Sequence, residues 1–146
     1  MKIVVLYESR TGNTKRTAEY VAGAAAAAGA DVKIASVASP PLNDLTSADL
    51  IFVGTWTDGI IIGGHMPGGR KNLYALPDLW DIPVAGFLTH AIHPGKVTRA
   101  FAKLLAYKGA NVLVVRTFNR RNVPDGIAEF VADAIAAAGI DVGASN

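Results

Sequence analysis

Between an apolar run ending at Tyr7 and a long alanine-rich segment, the chain reads Glu8-Ser-Arg-Thr-Gly-Asn-Thr-Lys15. Ser9, Thr11 and Thr14 offer hydroxyls there, and residues 10–14 offer backbone N–H groups at a position predicted to open a helix. Unpaired N–H groups and the helix macrodipole at such an end favour an anion, above all a phosphate. Gly12 lets the backbone come close to a ligand. The competing reading is a plain helix cap, with Thr11 or Asn13 accepting a first-turn amide. A cap needs one such residue, and this turn has several in succession. It is not a Walker loop, because the lysine of G-x-x-x-x-G-K-[ST] is absent, and G-x-G-x-x-G is absent too.

The elements that must position this turn alternate along the chain. Residues 2–7 form a short β-branched run, as expected of a strand buried on both faces. Residues 13–28 are predicted as a helix that stops at Gly29 in a left-handed conformation. Residues 31–37 alternate apolar and polar, which suits a strand nearer the sheet edge. Residues 49–55, 83–89 and 111–117 supply three more strands. Val97, Phe101, Leu104 and Leu105 repeat at helical spacing up to Gly109, and Ile127 to Ala138 do so up to Gly139. A weaker helix over 70–77 follows the glycine-rich segment 59–69. Five strands alternating with helices imply right-handed crossovers and a parallel α/β sheet covered on both faces, in one domain over 1–146. Ligands in such sheets bind beyond the carboxyl ends of the strands, where the strand order switches. That selects residues 8–14, 55–69, 89–95 and 117–124.

Composition narrows the functions. The 146 residues are 51% apolar and 18% charged, enough to bury a core and too apolar for disorder. The absence of cysteine excludes disulfides, thiol catalysis and thiolate metal sites, and favours a reducing compartment. The apolar run after Lys2 is too short for a signal-peptide core, and no run reaches the roughly 18–20 residues of a membrane span. A cytoplasmic protein is expected. Net charge is +2, with the basic residues scattered apart from Arg116, Arg120 and Arg121, and no nucleic-acid-binding motif accompanies them. His65, His90 and His93 lack the spacing of a metal site. There is no G-x-S-x-G for a serine hydrolase, and residue 55 is threonine where a phospho-accepting domain needs aspartate.

"SRTGNT" after a first strand resembles the flavodoxin phosphate loop, T/S-x-T-G-N-T. "GTWTDG" (54–59) is similar to the flavodoxin segment in which an aromatic stacks on the flavin and the next peptide contacts its N5. "THAIHPG" (89–95) matches in position the segment lining the ring's other side and pyrimidine edge. The similarity runs in order through essentially the whole chain, without the insertion of long-chain flavodoxins. It implies a flavodoxin-like doubly wound three-layer sandwich, with a five-stranded parallel sheet in the order 2-1-3-4-5, and FMN as cofactor. Ser9, Arg10, Thr11, Gly12, Asn13 and Thr14 would then hold the phosphate. Thr55, Trp56, Thr57, Asp58 and Gly59 would meet one side of the ring, with Trp56 stacking. Thr89, His90, Ala91, Ile92 and His93 would meet the other. The implied function is single-electron shuttling between redox partner proteins, a reductase and an acceptor, by a monomer or weak dimer. No side chain need act as acid or base. The alternatives are an FMN-dependent quinone or porphyrinogen reductase on the same fold, and a non-redox flavin-binding regulatory module.

Departures from the family pattern carry expectations of their own. His90 and His93 replace the tyrosine and acidic residues common in the third loop, so an imidazole is expected beside the flavin, or else a solvated histidine or a cap. Ile60, Ile61 and Ile62 should pack on the flavin edge, on the domain or on a partner. Thr57 stands where flavodoxins often carry a glycine whose peptide flips on reduction; a β-branched residue there should cost about 1 kcal/mol more in the flipped turn. The basic balance, the reverse of most flavodoxins, points to an acidic partner patch or to less electrostatic docking.

Overall fold

The computed structural model describes residues 1–58, 66–91 and 96–140. Strand β1 (Lys2–Tyr7) buries Ile3, Val4, Val5 and Leu6 completely, and its two faces enter different cores. Ile3 and Val5 share one core with Leu50, Phe52, Ala85 and Phe87, whereas Val4 and Leu6 share the other with Ile51, Val53, Val84 and Leu88. Alternate side chains leave a strand on opposite sides, so a strand covered on both faces shows no polar alternation.

The chain continues through α1 (Asn13–Ala27), β2 (Asp31–Ser36), α2 (Leu42–Thr46), β3 (Leu50–Asp58), β4 (Met66–Pro67) and α3 (Arg70–Tyr74). It then forms β5 (Pro83–His90), α4 (Val97–Tyr107), β6 (Asn111–Asn119) and α5 (Ile127–Ala137). The parallel strands lie in the order β2-β1-β3-β5-β6, and β4 pairs antiparallel with the end of β3. With β4 set aside, this is the expected 2-1-3-4-5 order of the flavodoxin-like sandwich. Ala18, Val21 and Ala25 of α1 and Phe130, Val131 and Ala134 of α5 pack on one face. Leu45 of α2, Leu73 of α3 and Val97, Phe101 and Leu105 of α4 pack on the other. Among the described residues, no helix is long and apolar enough to cross a membrane.

The strands reach further than local sequence pattern indicated. β3 runs to Asp58 because Thr57 and Asp58 pair with Pro67 and Met66, and β5 runs to His90 because that residue pairs with Asn119 of β6. Trp56–Asp58 and His90, which lie beyond the expected strand ends at residues 55 and 89, are therefore strand residues. The helix expected over 70–77 ends at Tyr74, and the five-residue α2 had no clear signal in the sequence. Gly29 and Gly109 adopt φ of +94° and +85° after α1 and α4, the left-handed exit that glycine permits.

Phe130 joins α5 to the sheet. Its ring meets Phe118, Phe52 and Phe87 edge-on at 5.4, 5.5 and 6.4 Å between centroids. It is fully buried, with the Arg116 guanidinium 5.4 Å above it and Arg116 also paired to Asp133 at 3.2 Å. Phe130→Ala is expected to lower stability by about 3–5 kcal/mol, read as a shift of the urea midpoint. A loss below about 1 kcal/mol would mean that α5 docks without this cluster.

Candidate functional site

The turn after β1 enters α1 through Gly12, whose φ of +94° places it in the left-handed region as the residue before the helix. The helix has no side-chain bond from that capping position, so neither Thr11 nor Asn13 caps it; the Asn13 amide instead reaches the Thr11 hydroxyl at 3.2 Å. Ser9 braces the turn from behind, its Oγ accepting the N–H of Gly12 at 3.1 Å and of Lys15 at 3.3 Å. The N–H groups of Arg10, Thr11, Asn13 and Thr14 have no hydrogen-bond partner among the described residues. Four bare donors thus stand at the positive end of a 15-residue helix.

Thr14 is buried and turned inward. Its hydroxyl lies 3.0 Å from that of Thr89 at the end of β5, tying the first turn to the third loop. Trp56, half-buried near the end of β3, donates its indole N–H to Asp58 at 3.0 Å. The Arg10 guanidinium lies 5.7 Å from the indole centroid and 4.0 Å from the same carboxylate. Gly68 packs against the indole so closely that a Cβ there would overlap Trp56 Cε2 and Nε1. The Gly68 N–H donates to the Trp56 carbonyl at 2.7 Å, and its carbonyl accepts the Thr55 hydroxyl at 2.7 Å.

These groups line one cleft at the carboxyl ends of the strands, where parallel α/β sheets hold their ligands. Arg10, Thr11, Asn13, Thr14, Trp56, Thr57, Thr89, His90 and Ala91 all face it. Ser9 and Gly12 shape its turn, and Thr55 and Asp58 support Trp56 from the side. Gly59, Ile92 and His93 lie outside the described residues, as do Ile60–Ile62 and His65.

Arg120 also lines the cleft, its N–H bonded to the His90 carbonyl at 3.0 Å. The sequence placed residues 117–124 at this end of the sheet but gave no reason to choose Arg120 among them. Two further groups hold unpartnered oxygens among the described residues, of which the sequence singled out Thr57 but not Glu8. Glu8 is buried against Gly69 with Oε2 lacking a hydrogen-bond partner among the described residues, and Thr57 is 6% exposed with its hydroxyl equally unpartnered.

A family model described as "Flavodoxin domain" matches residues 4–66, the stretch from β1 to the start of β4. A flavodoxin of Aquifex aeolicus (strain VF5) is 37% identical over 111 residues, 75% of this chain. The chain is flavodoxin-like in sequence over these stretches. It covers 54% of the length of that relative. The solution structure of two-electron reduced Megasphaera elsdenii flavodoxin superposes with a TM-score of 0.72 at 23% identity, covering 94% of this chain and 98% of that one. A flavodoxin from the domain Archaea gives 0.68 at 22% identity over 95% and 97% of the two chains. The rubredoxin:oxygen oxidoreductase of Desulfovibrio gigas gives 0.72 at 16% identity, covering 94% of this chain but 35% of that one. At such identities the likeness to these structures is one of fold.

The indole of Trp56 rests on Gly68. Gly68→Ala, in a Trp80→Phe background that leaves one indole, is expected to displace Trp56 and shift its fluorescence emission to longer wavelength. Unchanged emission would place the indole elsewhere. Thr57→Val preserves shape and β-branching while deleting an unpartnered buried hydroxyl. It is expected to stabilise the ligand-free protein by about 1 kcal/mol in urea denaturation, and a comparable loss would reveal a bond to that hydroxyl.

Proposed function

We propose that the chain binds FMN in this cleft and carries single electrons between redox partner proteins. One observation carries the reading: the bare N–H groups of residues 10, 11, 13 and 14, at the start of α1 in a flavodoxin-like chain. A phosphate dianion fits that setting, since it accepts several charge-assisted hydrogen bonds at once and is favoured by the helix dipole. The Thr11 hydroxyl adds a donor, and Ser9 keeps the turn in shape through the two amides it accepts. Arg10 and Arg120 bring positive charge to the same cleft.

The remaining groups fit an aromatic ring with a polar edge. Trp56 offers an indole held in place by Asp58 and Gly68, and Thr57 offers a buried hydroxyl with no partner among the described residues, which a ligand in the cleft could complete. The Arg10 side chain over the indole is 69% exposed and free to swing aside. The bound flavin supplies the redox chemistry, while the protein binds and orients it and limits its contact with water. Gly59, Ile92 and His93 belong to the proposed site on sequence grounds.

Thr57 and Asp58 are extended and paired with β4, so a peptide flip between them would break the pairing. The Asp58–Gly59 peptide, at the margin of that ladder, is the better place for a redox-linked flip, and glycine tolerates it.

Calorimetry with FMN and riboflavin tests the phosphate site. FMN is expected to bind far more tightly, and Thr11→Ala to weaken FMN by about 10–100-fold with little effect on riboflavin, the worth of a hydrogen bond to a charged group. Equal losses for both ligands would remove the phosphate from the turn. For the carrier role, the loaded protein should be reduced through a separate reductase and should not oxidise NAD(P)H with a quinone unaided. Steady NAD(P)H oxidation by the protein alone would make it a reductase instead.

A further inference from the structure

We infer that the face surrounding the cleft is a docking surface for an acidic protein, an electron-transfer partner that presents its redox group behind Asp and Glu side chains. The inference rests on FMN binding in the cleft. The chain has 14 basic and 12 acidic residues, numbers that nearly cancel, yet six of the basic residues stand together at one end of the sheet. Arg10 follows β1, Arg70 and Lys71 open α3, Lys96 precedes α4, and Arg120 and Arg121 follow β6. All six are exposed and stand at the carboxyl ends of the parallel strands, around the cleft. Apart from the 4.0 Å approach of Arg10 to Asp58, none has an ion pair among the described residues.

Several carboxylates lie at the opposite end. Asp31 opens β2, and Asp49, just before β3, accepts the backbone N–H of Lys2 at 2.7 Å. Asp81 lies in the turn that bonds the end of α4, its N–H reaching the Gly109 carbonyl at 2.8 Å, with Asp78 three residues before it. At the cleft end Glu8 is buried and Asp58 is engaged by Trp56, leaving Asp125 and Glu129 beside α5 as the exposed acids. Residues 59–65 and 92–95 contain no Asp or Glu.

Unpaired like charges crowded on one face repel each other and contribute nothing to folding. They do raise the potential at the cleft mouth, attracting and orienting a partner of opposite sign. The patch is centred on the redox site, so its ligand must be able to exchange electrons there. That favours an acidic protein over a nucleic acid. In the transfer itself one electron passes and no bond is made: the reduced flavin loses the electron and the partner gains it.

The test uses the full chain loaded with FMN, reduced with dithionite, freed of excess reductant and mixed with ferricyanide in a stopped-flow cell. Each ferricyanide takes one electron, Fe(III) becoming Fe(II), and two are consumed per reduced flavin as its added hydrogens leave as protons to solvent. The rate is expected to fall at least about fivefold between about 10 and 200 mM salt, and the rate with cationic hexaamminecobalt(III) to rise. Lys71→Glu with Arg121→Glu should slow ferricyanide oxidation several-fold at low salt. Lys33→Glu with Lys103→Glu, which changes net charge equally but away from the cleft, should leave it within about twofold. Poly-L-glutamate should compete with ferricyanide at low salt. Failure to take up FMN would sink the cofactor reading and this inference with it. A protein that loads FMN yet responds equally to both charge-reversal pairs would sink the docking inference alone. Competition by duplex DNA without competition by poly-L-glutamate would overturn the assignment to a protein partner.

Discussion

The position of β1 between β2 and β3 is the constraint on which the site depends. From β1 the chain crosses through α1 to β2 on one side, and from β3 it crosses toward β5 and β6 on the other. The connections after β1 and β3 therefore diverge, and a gap opens between them at the carboxyl ends of the strands. α1 lies against one face of the sheet, and α3 and α4 against the other. The sheet is parallel, so each of these helices starts near the gap and brings its unpaired N–H groups and positive dipole end toward it. The cleft is thus a consequence of the winding, and the local residues determine what it can hold.

Side chains from distant parts of the chain hold the cleft's shape. The Thr14–Thr89 hydroxyl pair connects residues 75 positions apart, and the Thr55 hydroxyl reaches the Gly68 carbonyl 13 positions on. Both contacts are buried, where a hydroxyl without a partner is costly. The indole of Trp56 is fixed from two directions, by Asp58 at its N–H and by Gly68 at its ring, with Arg10 resting over it. Within this well-bonded surround, the buried Thr57 hydroxyl at the cleft wall has no partner among the described residues. A protein tolerates such a group where a ligand completes it.

The strands, the main helices and the order of the sheet were legible in the sequence because they rest on short-range regularities. Continuous apolar runs marked the doubly covered strands, helical spacing marked α4 and α5, and glycines marked where α1 and α4 stop. The turn at residues 8–15 was legible for a similar reason: hydroxyls, a glycine and an asparagine in succession have few uses other than geometry and anion binding. The strand ends were not legible. Residues 56–58 look like a loop after the apolar run, yet Trp56 pairs with Thr89 of β5, and Thr57 and Asp58 pair with the returning Pro67 and Met66. Arg120, Glu8 and the side-chain role of Asp58 were likewise hidden, since each depends on a neighbour far away in the chain.

By itself, then, the sequence determined the kind of sheet, the faces its helices bury and the hydroxyl-rich turn that opens α1. All of these follow from side-chain pattern and backbone preference over a few residues. Only the tertiary structure decided that Gly68 supports the indole, that Arg120 reaches the cleft, and that Arg10, Arg70, Lys71, Lys96 and Arg121 stand at the same end of the sheet. Charge and contact act through space. A residue's place in that field depends on which strand ends the fold brings together, and that is settled by long-range pairing and not by local sequence.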